Sequence, residues 1–208
     1  MEDLLDLYEF PYEPKRPLIC FDERPCQLLG DVMAPIPMKP GSAKKLDYHY
    51  ERKGTCNLFL ACEPLQGQRY VQVWESRTKV EYAQFMKDLA DKHYPDAEKI
   101  VVVQDNLSTH SAGAFYEAFD AETARRLARK FEFHYTPNKA SWLNMAEIEI
   151  GALSKQCLNR RIATIEELRK EACACAKRRN RDRIKIEWRF TTTKAREKLK
   201  RHYESIKN

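Results

Sequence analysis

No apolar run in this chain approaches the roughly 18 residues that a membrane-spanning helix needs. The N-terminus, Met1 to Asp6, is acidic and lacks the basic and apolar regions of a signal peptide. Internal repeats and low-complexity tracts are missing too. Seven cysteines make an odd count, none has zinc-finger spacing, and Cys173-Ala-Cys175 is too close to be a Cys-x-x-Cys pair. These absences point to reduced, mostly buried thiols in a cytoplasmic protein with no membrane partner. What is present is 43% apolar content over 208 residues. That is enough core for one large domain, or one domain with arms, and too much for global disorder.

The net charge of +6 is uneven. Residues 177–201 hold twelve Lys or Arg against three acids, a local excess of +9, so the remainder carries −3. A basic tail on a slightly acidic body suits a polyanion such as nucleic acid. Trp188 and Phe190 lie within this segment, and packing onto the domain is the expected role for both.

Three prolines (Pro11, Pro14, Pro17) make residues 1–17 read as an extended arm. Leu18 to Phe21 is a short buried strand that ends on Asp22-Glu23 and is stopped by Arg24-Pro25. Residues 30–47 form a loop with a basic tip, and 55–62 and 69–74 form a hairpin of two strands. Residues 79–93 have helical apolar spacing. Ile100 to Val103 is an unbroken, mostly β-branched run that suits a strand buried on both faces, with Asp105 just beyond its last residue, Gln104. A helix over 111–130, capped by Ser108 or Ser111, a strand over 131–135 and a helix over 142–158 follow. Thr164 and Glu167 signal a capping box for a helix reaching about Arg178, and a last helix covers about 193–204. The fold class is α/β: a mixed five-stranded sheet, antiparallel through strands 1-2-3 and then parallel in strands 4 and 5, flanked by helices. The expected organisation is an arm (1–17), a central domain (18–176) and a basic extension (177–208).

Asp22 and Asp105 meet at one end of such a sheet if the first and fourth strands are neighbours. A third acid is available from the helix 142–158, as Glu147 or Glu149. These sit on opposite edges of its apolar stripe, and helical phase does not choose between them. A cluster of three carboxylates suits hard divalent cations such as Mg²⁺. Two such ions, ~3.5–4 Å apart, can clamp the attacking and leaving oxygens of a displacement at phosphorus.

Phe21-Asp22-Glu23, Gln104-Asp-Asn-Leu-Ser-Thr-His110 and Thr136-Pro-Asn-Lys-Ala-Ser-Trp-Leu-Asn-Met-Ala-Glu147 resemble the three acidic motifs of DDE transposases. The nearest pattern is that of the insertion-sequence-630 family within the Tc/mariner superfamily. The resemblance implies a ribonuclease-H-like fold, as in retroviral integrases. It also implies a DNA transposase catalytic domain that hydrolyses phosphodiesters at element ends and joins the freed 3′-OH to target DNA. Asp22, Asp105 and Glu147 are then the catalytic, metal-binding acids, for two Mg²⁺ ions with Mn²⁺ as a substitute. The motif selects Glu147 over Glu149, which makes Glu149→Gln a tolerated change. Glu23, Asn106, His110 and Asn144 become supporting groups behind the acids. Lys39, Lys44, Lys45, Lys139, Lys177, Arg178, Arg179, Arg181 and Arg183 become DNA contacts. Double-stranded DNA, both transposon ends and target, is the implied partner, bound by a homodimer in a bacterial nucleoid. Met145 stands where the family commonly has proline, and the 41 residues between Asp105 and Glu147 exceed the mariner spacing. Only seventeen residues precede Leu18, so helix-turn-helix end-recognition modules are expected to be missing. An idle DNA-binding or subunit-pairing remnant, and a host nuclease of the same fold, are the competing readings.

Overall fold

A computed structural model describes residues 1–45, 47–201 and 203. Five strands form one sheet: β1 (Leu18–Asp31), β2 (Tyr50–Glu63), β3 (Gln68–Trp74), β4 (Ile100–Gln104) and β5 (Phe131–Tyr135). Their spatial order is β3-β2-β1-β4-β5. β1 pairs antiparallel with β2, and β2 with β3, whereas β4 lies parallel to both β1 and β5. This is the mixed sheet of the ribonuclease-H-like class, with the first and fourth strands side by side.

Side-chain alternation sorts the interior into two cores. Ile19, Phe21, Phe59 and Ala61 face α2 (Lys79–Asp88) together with α3 (Gly113–Ala118) and α4 (Ala121–Lys130). Cys20, Leu58, Leu60 and Cys62 face the other layer, made by α1 (Glu2–Glu9), α5 (Ala146–Gln156), α6 (Ile165–Arg181) and α7 (Thr192–Lys198). β4, between two strands and under both layers, is buried at every position. All seven cysteines are free thiols, and five of them are buried. Among the described residues no helix is long and apolar enough to cross a membrane.

Several expected boundaries move, each for a local reason. The arm is not extended throughout: Glu2–Glu9 is helical and buries Leu4, Leu5 and Leu7. Each such leucine contributes roughly 1.5–3 kcal/mol on burial, which outweighs the prolines that begin only at Pro11. Pro25 does not stop β1. β4 pairs with β1 only over Leu18–Cys20, so beyond that point one edge of β1 needs no amide from proline. The single helix expected over 111–130 is two, because Asp120 accepts from the Thr123 amide and starts α4 afresh. Neither Ser108 nor Ser111 caps α3; the residue at its cap is Ala112, with no side-chain bond. Thr164 caps α6 as expected, but the Glu167 carboxylate turns to Arg160 instead of closing the box. The boundary at 176/177 falls inside α6. Trp188 packs against Tyr8 and Phe190 against Trp142, so the basic segment folds back onto the domain. The last helix is described to Lys198, and its expected end at 204 lies outside the described residues.

Candidate active site

Three chain segments deliver the acids. Asp22 follows Cys20, the last β1 residue paired with β4, by two positions. Asp105 directly follows Gln104, the end of β4. Glu147 is the second residue of α5, which packs on β1 and β2. Burial pushes the Asp22 carboxyl up to about 7; the Glu23 amide, which donates to it, and His110 oppose the rise, while the negative charges of Glu147 and Asp105 add to it. The three carboxylates therefore share one electrostatic neighbourhood. Glu147 is exposed and Asp105 half-buried.

The turn after β4 is held by Gln104 and His110 of the second motif together with Tyr82 and Tyr135, which no motif announces. His110 Nδ1 lies 2.5 Å from Asp105 Oδ1, and its ring stacks on Tyr82 at 4.9 Å and meets the Phe21 edge at 5.2 Å. The His110 carbonyl accepts from Gln104 Nε2 and from the Tyr135 hydroxyl, and Tyr82 donates to Gln104 Oε1. Nε2 of His110 stands 3.8 Å from Glu23 Oε2, an ion-pair distance too long for a hydrogen bond. Burial opposes charge on His110, but Asp105 and Glu23 outweigh it and raise the imidazole to about 9. His110 is thus a fixed cationic prop under Asp105, and its own side chain is almost fully enclosed. Glu23 also reaches Arg77, 3.4 Å away, and Asn106 is exposed on the same turn.

Asn144 explains the start of α5. It is in extended backbone, so α5 begins later than the expected 142. Its Nδ2 donates to the Phe21 carbonyl at 2.7 Å and its Oδ1 accepts from the Ala146 amide at 3.1 Å. One buried carboxamide thereby ties the helix carrying Glu147 to the strand residue beside Asp22. Met145 has φ −63°, the value a proline would impose, so its departure from the family pattern leaves the backbone as it would be.

Glu149 has a different task. It is fully buried and receives both Arg69, at 2.7 Å through Nε and Nη2, and Arg179, at 3.1 and 3.0 Å. Burial disfavours its charge, but the two guanidiniums outweigh that and hold its carboxyl below the usual range. This corrects two expectations. Arg179 is an internal ion-pair partner and not a DNA contact. Glu149 is not an unpartnered position but the anion between two buried guanidiniums.

The other basic residues divide by location. Lys39, Lys44 and Lys45 are exposed on the β1–β2 connection, and Lys139 is exposed in the loop before α5, with φ 63°. Lys177, Arg178, Arg181 and Arg183 are exposed as well, but α6 ends against Gly67 in the β2–β3 turn. β2 runs antiparallel to β1 and β4, so that turn is at the end of the sheet away from Asp105. The end of α6 therefore does not line the acidic neighbourhood.

By chemistry and charge the donor set fits a hard divalent cation: three carboxylates, one of them held partly protonated by burial and by its neighbours. It is not a finished cage, since among the described residues no three His, Cys, Asp or Glu side chains form a ready ligand group.

Among solved structures, a Mos1 transposase paired-end complex with the left transposon end matches with 18% identity and a TM-score of 0.56, over 85% of this chain and 52% of that one. A Mos1 strand transfer complex matches with 15% identity and a TM-score of 0.49, over 90% and 60%. At such identities the likeness is one of fold, and the chain spans about half the length of the first of these transposase chains. No curated protein matches. The family model described as DDE superfamily endonuclease matches residues 17–169, and the chain belongs to that superfamily.

Proposed function

We propose that this chain is the catalytic domain of a DNA transposase that hydrolyses phosphodiesters at element ends and joins them to target DNA. Asp22, Asp105 and Glu147 are its working acids. The observation that carries the reading is the convergence of three acids: Asp22 just past the β1–β4 pairing, Asp105 directly after β4, and Glu147 in the first turn of α5, which packs on β1. Carboxylates gathered in this way are costly unless a cation relieves them. Within the superfamily the reading favours the insertion-sequence-630 branch, on Asp105-Asn106 with His110 and on Leu143-Asn144 with Glu147.

These three acids would hold two Mg²⁺ ions, with Mn²⁺ able to substitute. When bound, the ions supply an activated water and stabilise charge on the phosphate oxygens. The chain's own residues do the positioning. Asp105 would be one of the carboxylates that hold the ions, and His110 fixes its carboxylate from behind. Glu147 reaches the acids from the first turn of α5, which Asn144 ties to β1. Lys39, Lys44, Lys45 and Lys139 contact phosphates on the side of the sheet toward which Asp22 and Asp105 project, and Lys177, Arg178, Arg181 and Arg183 contact them on the other side. Such contacts are sequence-independent and weaken with salt. Two copies of the chain bring two DNA ends together.

The test is cleavage of element-end DNA, intact and pre-nicked, with Mg²⁺ or Mn²⁺. Metal-dependent nicking and strand-transfer products are expected. Asp22→Asn, Asp105→Asn and Glu147→Gln should each reduce both to background while circular dichroism stays as in wild type; melting should be unchanged for Asp22→Asn and Glu147→Gln and fall for Asp105→Asn, which takes the anion from the buried His110. Absence of metal-dependent cleavage on pre-nicked ends would sink the enzymatic reading. Cleavage of RNA·DNA hybrid without strand transfer would favour a host nuclease.

A further inference from the structure

A second cavity, of about 390 Å³, lies at the other end of the sheet from Asp105. That volume falls within the roughly 300–1,000 Å³ range of small-molecule sites. Its walls are apolar: Leu7 and Phe10 from α1 and its C-cap, Leu18 at the start of β1, Leu65 in the β2–β3 turn and Val101 on β4. Into these walls is set Glu63, the last residue of β2, only 4% exposed. Its Oε2 accepts from the Tyr94 hydroxyl at 2.8 Å, whereas Oε1 is buried and has no hydrogen-bond partner.

A buried acceptor without a donor costs about 1–3 kcal/mol, and more if it is charged. The cavity's own cation does not relieve it. Arg16 lines the same space, but its Nη2 lies 2.6 Å from Glu132 Oε1. Glu13 adds a second acid to the lining. A half-open space with apolar walls, a carboxylate with one unanswered oxygen set into them and an acidic rim selects a ligand with a donor-bearing positive head and an apolar stem. An anion would meet two acids, and a neutral apolar molecule would leave Oε1 unanswered.

We infer that this cavity binds a small organic cation, an ammonium group on an aromatic or alkyl stem, with the Glu63 carboxylate turning to bring Oε1 to the cavity surface as the acceptor of the ammonium and the stem lying against Leu18, Leu65 and Val101. The site stands apart from Asp22, Asp105 and Glu147, and the inference does not rest on the transposase reading.

The probes are phenethylamine, benzylamine and cyclohexylamine, set against 2-phenylethanol and phenylacetate. Binding to the full chain is followed by calorimetry and by methyl chemical shifts. At least one amine is expected to bind saturably, with shifts at the methyls of Leu18, Leu65 and Val101. The alcohol should bind at least tenfold more weakly and phenylacetate not at all. Glu63→Gln should weaken amine binding at least tenfold, and Leu65→Trp, which fills the cavity, should abolish it while leaving DNA cleavage unchanged. Should Glu63→Gln fail to fold, the amine-to-alcohol ratio in wild type and the loss in Leu65→Trp decide the matter. No saturable binding of any amine, equal affinity for amine and alcohol, or binding indifferent to Leu65→Trp means that the cavity holds water only, and overturns the inference.

Discussion

Glu147 and Glu149 are two residues apart on α5, yet their substitutions should behave in opposite ways. Glu149→Gln leaves Arg69 and Arg179 buried without an anion between them. Breaking a buried pair from one side costs about 3–5 kcal/mol. For a chain of this size the melting temperature should fall by ~10 °C. Glu147→Gln, at an exposed position, should melt as wild type and lose only activity. A thermal melt of Glu149→Gln that overlays wild type would remove the structural role assigned to it. Asn144→Ala takes away the link from α5 to the Phe21 carbonyl. It is expected to lower the cleavage rate at saturating DNA more than it changes DNA affinity, and the reverse split would argue that Asn144 contacts DNA. The two glutamates were both visible in the sequence as edges of one stripe. What separates them is Arg69 and Arg179, distant in sequence and joined to Glu149 only when β3, α5 and α6 pack. For the same reason His110 could be named from its motif, but its supports Tyr82 and Tyr135 could not.

At the scale of elements, α1 is the piece that sequence reading placed least well. Its helical preference is weak, and its stability comes from three leucines buried against the sheet, a tertiary effect. Strand order was legible because apolar runs and turn residues mark strands directly. The continuation of β1 past Pro25 was not, because it depends on where β4 leaves. α1 is also pinned at its ends: Glu2 pairs with Arg196 of α7, Asp6 accepts from Thr192, and Asp3 reaches His134 of β5 at 2.9 Å. Burial disfavours the charged form of His134, but Glu132 and Asp3 outweigh it and raise the imidazole above its usual 6.5. A raised folded value means that this contribution is complete below pH 6.5 and fades as pH rises through the folded value. The melting gap between wild type and His134→Gln should therefore narrow on going up through that range. A gap that stays constant or widens, in melts stepped across those pH values, would show that His134 does not hold α1 by charge.

Over the whole molecule, the +9 of residues 177–201 overstates what faces solvent as free charge. Arg179 is turned inward to Glu149, and Arg196 pairs with Glu2 of α1. Two exposed basic groups lie on different sides of the sheet: the β1–β2 connection with Lys39, Lys44 and Lys45, and the end of α6 with Arg178, Arg181 and Arg183. β1 runs from Leu18 through Asp22 toward the first, and the second sits by the β2–β3 turn, away from Asp105. The two should therefore differ in consequence although both are basic. Each lysine that neutralises a phosphate of duplex DNA contributes ~0.9 to the slope of log affinity against log salt. Changing Lys39, Lys44 and Lys45 together to Gln should flatten that slope by about 3. It should also depress cleavage at protein concentrations that saturate wild type, because the connection leaves the sheet in the direction in which Asp22 and Asp105 lie beyond the β1–β4 pairing. Changing Arg178, Arg181 and Arg183 together to Gln should flatten the slope as well, yet leave cleavage intact once DNA is saturated. Anisotropy titrations across a KCl series, paired with single-turnover cleavage, read both quantities on the same preparations. If the lysine triple retains the wild-type slope and rate, the β1–β2 connection is not a DNA-contacting arm.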